Sequence, residues 1–239
     1  MHNKSKSTII EISFVSLLCL LLASCVSTSS MDSSITSKRA DVFDKNGTSI
    51  EASTESFEKK QSSLGTVLLQ VMWGRVWKCG GYENAQIVSF SFDKMPRAQK
   101  TDDAESDVKI KSNGSLFTDM IYNPLAFQVP PGEYSLSGFK IKVAKSVSDV
   151  GYISIPRSAL INDRLNTFNV NAGEQTYIGH FSLDCANSPI IWRYYIEDEN
   201  DLKSSKSFTK KYPFLDLNNA VYRLFKTTNF GGPIITQKK

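Results

Sequence analysis

Between residues 66 and 196, apolar side chains recur at every second position, in short runs broken by Gly and Pro. A period of two is the pleat of a β-strand, and the breaks are turn chemistry, so this stretch can only make short strands folded back on one another. Residues 66–78 are the richest, with Val67, Leu68, Leu69, Val71, Met72, Trp73, Val76 and Trp77. Gly80-Gly81 is a turn. Residues 85–92 alternate next, with Gln86, Val88, Phe90 and Phe92 on one face. Residues 93–114 are polar and read as a long loop, and 115–122 as a strand that breaks at Asn123-Pro124. Pro130-Pro131-Gly132 is a tight turn. After it Tyr134, Leu136 and Gly138 change phase to Phe139, Ile141 and Val143, which places a β-bulge at Gly138. A short strand over 152–155 stops at Pro156. Residues 167–170 and 175–184, joined by Asn171-Ala172-Gly173-Glu174, read as a hairpin. The run of Ile190, Trp192, Tyr194 and Ile196 has apolar residues on both faces and reads as a central strand.

One helix follows, over 198–211, acidic at its start and basic at its end as the helix dipole favours. Residues 220–226 suit a last strand or helical turn. Some eight short strands and one late helix predict a mainly β protein, a β-sandwich, with a small closed barrel as the alternative. The sandwich domain is expected over 64–239.

The N-terminus has a different grammar. Lys4 and Lys6 precede an apolar run over 12–22, and Leu22-Ala23-Ser24-Cys25 closes it. A basic start, a short apolar core and small residues make a secretory signal peptide over 1–24. The run is about half of the ~20 residues that a membrane-spanning helix needs. Its last four residues resemble the lipobox of bacterial lipoproteins. That resemblance implies cleavage before Cys25, a diacylglycerol on its sulfur and a third acyl chain on the new amine. Burial of several chains, at roughly 0.8 kcal/mol per CH₂, holds a protein firmly where one chain does not. Val26, not Asp, follows the cysteine. The likeness to lipoprotein sorting signals therefore implies the outer membrane, with the protein on its periplasmic face or on the cell surface. Residues 25–63, rich in Ser, Thr and charge, are expected to be the lipidated cysteine and a disordered tether with a reach of roughly 35 Å. Residues 41–45 and 51–61 are the parts of it able to form a passing helix.

Loss of Lys4, Lys6 and Glu11 with the signal lowers the net charge from +4 to +3, too mild to imply nucleic acid. Of four cysteines, Cys19 leaves with the signal and Cys25 takes the lipid. Cys79 and Cys185 remain as an even pair in an oxidising compartment, and a disulfide is expected, two separate thiols being the alternative. No metal or cofactor is expected: His180 is the one histidine outside the signal peptide, and its spacing to the cysteines is not that of a zinc site.

Two fragments, Val129-Pro130-Pro131-Gly132-Glu133-Tyr134 and the stretch from Val170 through Ala172-Gly173-Glu174 to Tyr177-Ile178-Gly179, resemble the turns of uncharacterised bacterial lipoproteins with a prealbumin-like or carboxypeptidase-regulatory-like β-sandwich. The likeness covers residues 66–196. It implies the fold and an envelope location, and it brings no catalytic residues.

His180 lies on a strand without a nucleophile elbow nearby, and alternation puts it on the face of Ile178 and Ser182, opposite Tyr177, Phe181 and Leu183. Asp102, Asp103, Glu105 and Asp107, and likewise Glu197, Asp198, Glu199 and Asp201, lack the spacing and the glycine of a calcium loop. Lys203, Lys206, Lys210 and Lys211 form a basic helix face, a candidate patch for anionic headgroups or polysaccharide. Trp73, Trp77, Tyr82, Trp192, Tyr194 and Tyr195 supply core or a sugar-stacking platform. The reading is a lipid-anchored, non-catalytic binding or scaffolding protein of the envelope, with a protein or glycan partner. The alternatives are an envelope hydrolase using His180 or a carboxylate pair, and a surface adhesin or secretion accessory.

Overall fold

The computed structural model describes residues 38–96, 105–114, 119–155, 166–194, 202–203, 205–225 and 235–238, without the side chains of 193–194 and 235–238. The signal peptide, Cys25, Asp102, Asp103, Tyr195 and the acidic group at 197–201 lie outside the described residues.

The chain folds as a β-sandwich of two sheets. The first sheet is built on two long strands, β4 (Tyr82–Lys94) and β7 (Gly132–Ala144), paired antiparallel along most of their length. Outside β4 lie β5 (Val108–Ser112) and then β1 (Ala40–Asp44), while the short β3 (Val76–Cys79) pairs with the first part of β4. Outside β7 lie β8 (Val150–Ile155), β9 (Thr167–Val170) and, beyond β8, β13 (Ile235–Lys238). The second sheet runs β11 (Ile190–Tyr194), β10 (Gln175–Asp184), β2 (Gly65–Met72), β6 (Tyr122–Val129), with β12 (Val221–Tyr222) beside β10.

The inner faces of the two sheets meet in one core. An aromatic chain crosses it: Trp73 stacks on Phe90 at 5.9 Å, Phe90 meets Phe181 at 5.6 Å, and Phe181 reaches Phe225 at 6.0 Å. Phe225 in turn packs on Phe168 at 5.4 Å and Phe168 on Tyr134 at 5.9 Å. A second cluster covers the outer face of the second sheet. Leu68, Ala126 and Tyr177 of β2, β6 and β10 lie under Leu202, Phe208, Tyr212, Leu215 and Leu217. Two short helices contribute, α1 (Thr54–Lys60) through Phe57 and α2 (Lys206–Lys211) through Phe208. Phe57 and Phe214 bring their rings to 5.3 Å. β2 is therefore covered on both faces, which is why its apolar run is continuous rather than alternating.

Several sequence expectations change. The tether does not extend to residue 63. Ala40 and Val42 of β1 are buried in the sandwich core and Ala52 lies under the cover. Composition missed this because an edge strand needs only alternate apolar residues, and Ala40 and Val42 supply them. α1 is held by a capping box in which Ser56 N–H donates to Ser53 Oγ at 3.2 Å and Ser53 N–H to Ser56 Oγ at 3.0 Å. The loop expected over 93–114 contains β5, whose Val108 and Ile110 point into the core. Asn123-Pro124 is no break; it lies within β6. β6 is the terminal strand of its sheet, where a missing N–H costs no ladder bond, and the Pro124 carbonyl accepts from Lys211 Nζ at 3.2 Å.

Residues 167–184 are not a hairpin. β9 pairs with β7 in the first sheet and β10 with β2 in the second, so Asn171–Glu174 crosses between sheets. Pro130-Pro131-Gly132 makes the same crossing from β6 to β7. The two crossings are neighbours, since Gly132 faces Val170 while Val129 and Gln175 flank the start of β2. They pack so closely on Gly65 that a Cβ there would stand 2.2 Å from Val170 Cγ1. β11 is terminal in its sheet, not central. The expected bulge beside Gly138 is present: Ser91 faces Gly138 but Phe92 faces Leu136, leaving Ser137 as the extra residue. The β10 bulge was not legible. Register shifts between Tyr177 and His180, and Gly179 takes φ +110°. The inserted residue exchanges the faces of Tyr177 and Ile178: Ile178 joins Phe181 and Leu183 inside and Tyr177 turns outward, while His180 stays opposite Phe181 and Leu183 as expected.

Candidate binding face

The outer face of the first sheet carries no such cover among the described residues. Two strands read alike: Val108-Lys109-Ile110-Lys111 on β5 and Phe139-Lys140-Ile141-Lys142 on β7. In each, the apolar residues enter the core and the lysines face out. β4 runs between them: Ser89 is in register with both Lys111 and Lys140, Ser91 with Lys109 and Gly138, and Gln86 with Lys142. Strand spacing sets the lysine roots about 10 Å apart across this serine floor and about 7 Å apart along each strand.

The lysines are sparsely paired. Lys109 lies 3.6 Å from the exposed Glu105. Asp41, in register with Lys111, is held instead by Lys38 at 2.8 Å. Lys140 sets its ammonium 4.2 Å above the Tyr152 ring. Lys111 and Lys142 have no carboxylate partner among the described residues. Between them an open groove of about 500 Å³ is lined by Asp41, Phe43, Gln86, Val88, Asn113 and Tyr152. One strand further, Trp77 pairs with Asn84 in register and stands 56% exposed, with the Arg75 guanidinium 5.4 Å from its ring. Strand β3 is fixed by the two-residue Gly80-Gly81 turn, both residues at positive φ (+54° and +81°). Behind that turn Cys79 and Cys185 form a disulfide with Cα atoms 4.5 Å apart. It staples the edge of the first sheet to the exit of β10.

The residues singled out from sequence do not converge. His180 sits on the outer face of the second sheet, edge-on to Tyr122 at 4.7 Å. Asp107 serves its own loop, accepting from Lys94 N–H at 2.9 Å and donating its N–H to Asp93 at 3.0 Å. Among the described residues no group of three His, Cys, Asp or Glu is arranged to hold a metal.

The basic helix face divides. Lys206 and Lys210 are exposed, but Lys211 is mostly buried, 3.1 Å from Glu51. Glu51 also accepts from Tyr212 Oη at 2.8 Å and pairs with Lys38 at 3.2 Å. Burial pushes the Glu51 carboxyl up, but Lys211, Tyr212 and Lys38 outweigh it and hold the group below its ordinary range. Burial likewise depresses Lys211, which Glu51 only partly offsets. Glu174 is lowered first by the two-pronged hydrogen bond from Arg223, at 2.8 and 2.9 Å, against a smaller burial effect. These two carboxylates fasten the cover to the second sheet.

Of the aromatic supply, Trp73 is core and Trp77 is surface, while Tyr82 and Trp192 are half-buried. Lys109, Lys111, Lys140 and Lys142 were not singled out from sequence. The signal was there: the same Lys-Ile-Lys alternation occurs twice, but the first copy lay in the stretch read as loop. No helix among the described residues is long and apolar enough to cross a membrane. In comparisons with known proteins, no family model, no curated protein and no solved structure matches this chain, so its own geometry carries the functional reading.

Proposed function

We propose that the chain is a lipid-anchored, non-catalytic binding or scaffolding protein of the bacterial outer membrane, held by Cys25 and presenting the open face of its first sheet to a partner in the envelope. The observation that carries the binding half is the pair of lysine rows on a rigid, disulfide-stapled sheet. Those cations are displayed rather than consumed in internal ion pairs. The anchor rests on the lipobox-like Leu22–Cys25 sequence and its basic, apolar lead-in. The likeness to lipoproteins with prealbumin-like sandwiches rests on the two turn fragments, which are the paired inter-sheet crossings.

Two measurements test the halves separately. Labelling cells with a palmitate analogue should mark the protein and not its Cys25→Ser variant; equal label in both removes the anchor. Complementation of a deletion strain tests the face. Lys111→Glu with Lys142→Glu should accumulate normally and fail to complement, while His180→Gln should complement. The opposite pattern would make the hydrolase reading the better one.

A further inference from the structure

The open face has the form of a channel for one extended chain. Its floor is a single strand wide, and a flat surface laid over the lysine tips would leave the groove empty. Its lining mixes three chemistries. Lys111 and Lys142 provide positive charge, with Lys140 one residue pair along β7, and the one acidic group in the lining, Asp41, is paired with Lys38 at 2.8 Å. Ser112 and Asn113 provide short hydroxyl and amide groups able to meet sugar hydroxyls. Trp77 and Tyr152 provide aromatic surface, Trp77 on β3 along the same edge of β4 as β5 and Tyr152 on β8 beyond β7, and Trp77 lies two strands and one residue pair from Lys142. An exposed indole ring beside cations on a rigid sheet is costly to leave in water and suited to stacking on a sugar ring.

We infer that the channel between the β5 and β7 lysines, with Trp77 at its end, binds a linear anionic polysaccharide. This rests on the binding-module reading and specifies its ligand. The lysines supply the long-range attraction, so binding weakens with salt. The indole supplies contact that salt does not screen. An acidic peptide would share the first property and not the second. An anionic bilayer would be sensed by the lysine tips, with little demand on the groove.

The test uses the full lipidated protein in neutral detergent micelles, titrated by calorimetry with octagalacturonate and, separately, with dextran sulfate of similar length. At least one should bind. Raising NaCl from 50 to 300 mM should weaken it by about tenfold or more, as for any charge-steered contact. Trp77→Ala should weaken it by a similar factor of about ten, in keeping with indole anchors at other interfaces. Lys111→Gln with Lys142→Gln should do at least as much, with circular dichroism unchanged in each variant. Four results overturn the inference: binding of neither glycan, equal binding of a neutral galactan oligomer, unchanged affinity in the lysine variant, or poly-glutamate binding as tightly and with the same Trp77 dependence. Binding only to vesicles containing an anionic lipid, with neither glycan bound, overturns it as well. A protein that labels at Cys25 and complements its deletion but binds neither glycan loses this inference alone and keeps the proposed function.

Discussion

The outer faces of the two sheets are built from the same pleat and meet opposite fates. On the second sheet, Leu68, Ala126 and Tyr177 point outward and are covered by Phe208, Tyr212 and Leu215. On the first, the corresponding positions on β5, β4 and β7 are mostly lysines and serines, and none of the described residues covers them. The difference lies in one alternate residue per strand. An apolar residue there recruits a third layer; a lysine there refuses one. The number of covered faces is thus written in the even positions of a strand, and surface left uncovered is what a partner can use.

The disulfide is the strongest test of whether the faces depend on a common frame. Replacing Cys79 and Cys185 together by Ala releases a cross-link spanning 106 residues, worth roughly 4–5 kcal/mol by loop-closure entropy. Denaturant titration should show that loss, and both faces should loosen together. A loss confined to β3 would mean the sheets are held independently. Phe208→Ala comes next. It removes the centre of the cover and should cost about 3–5 kcal/mol, with hydrogen exchange rising at residues 208–217 well before β7. Equal exchange in both regions would dissolve the contrast between a detachable cover and a permanent core.

Acid sharpens the same contrast by a smaller amount. Glu51 and Glu174 both titrate below their ordinary 4.5 when folded. A lowered carboxyl stabilises the folded state above that value and loses its contribution as pH falls through the folded value. Below about pH 4.5 the cover should therefore loosen from the second sheet while the sandwich core persists. Exchange at residues 208–223, corrected for intrinsic rate at pH 7 and pH 3.5, reads this directly; no change would mean the ion pairs are ornamental. Smallest of all, Lys142→Ala should shift stability by less than about 0.5 kcal/mol, because Lys142 makes no ion pair among the described residues and lies outside the core. A loss above 1 kcal/mol would show that the open face is structural after all.

The class of fold was legible because period-two alternation is local, and so was the bulge beside Gly138, where the phase visibly slips. What was not legible depended on partners distant in sequence. Asn171–Glu174 has every residue of a hairpin turn, and only the pairing of β9 with β7 makes it a crossing. The bulge at Gly179 exchanges the faces of Tyr177 and Ile178, yet nothing around it breaks an apolar pattern, since Tyr177, Ile178 and Phe181 are all apolar. The disulfide was legible from cysteine arithmetic alone. The open lysine face was hidden by the polarity of residues 93–114, in which five strand residues were averaged away among charged neighbours.

The edges of the first sheet have a kinetic consequence. β1, near the start of the described chain, closes one edge, and β13, at its end, closes the other. The β8 border is not finished until residues 235–238 have arrived, and β2 must wait for β10, more than a hundred residues later, to pair in parallel. Such long-range pairing belongs to chains that fold in milliseconds to seconds rather than microseconds. During that interval β8 is a bare edge able to template onto another copy. A chain cut short before residue 235 would keep the β8 edge for good, so self-association should be the signature of C-terminal truncation.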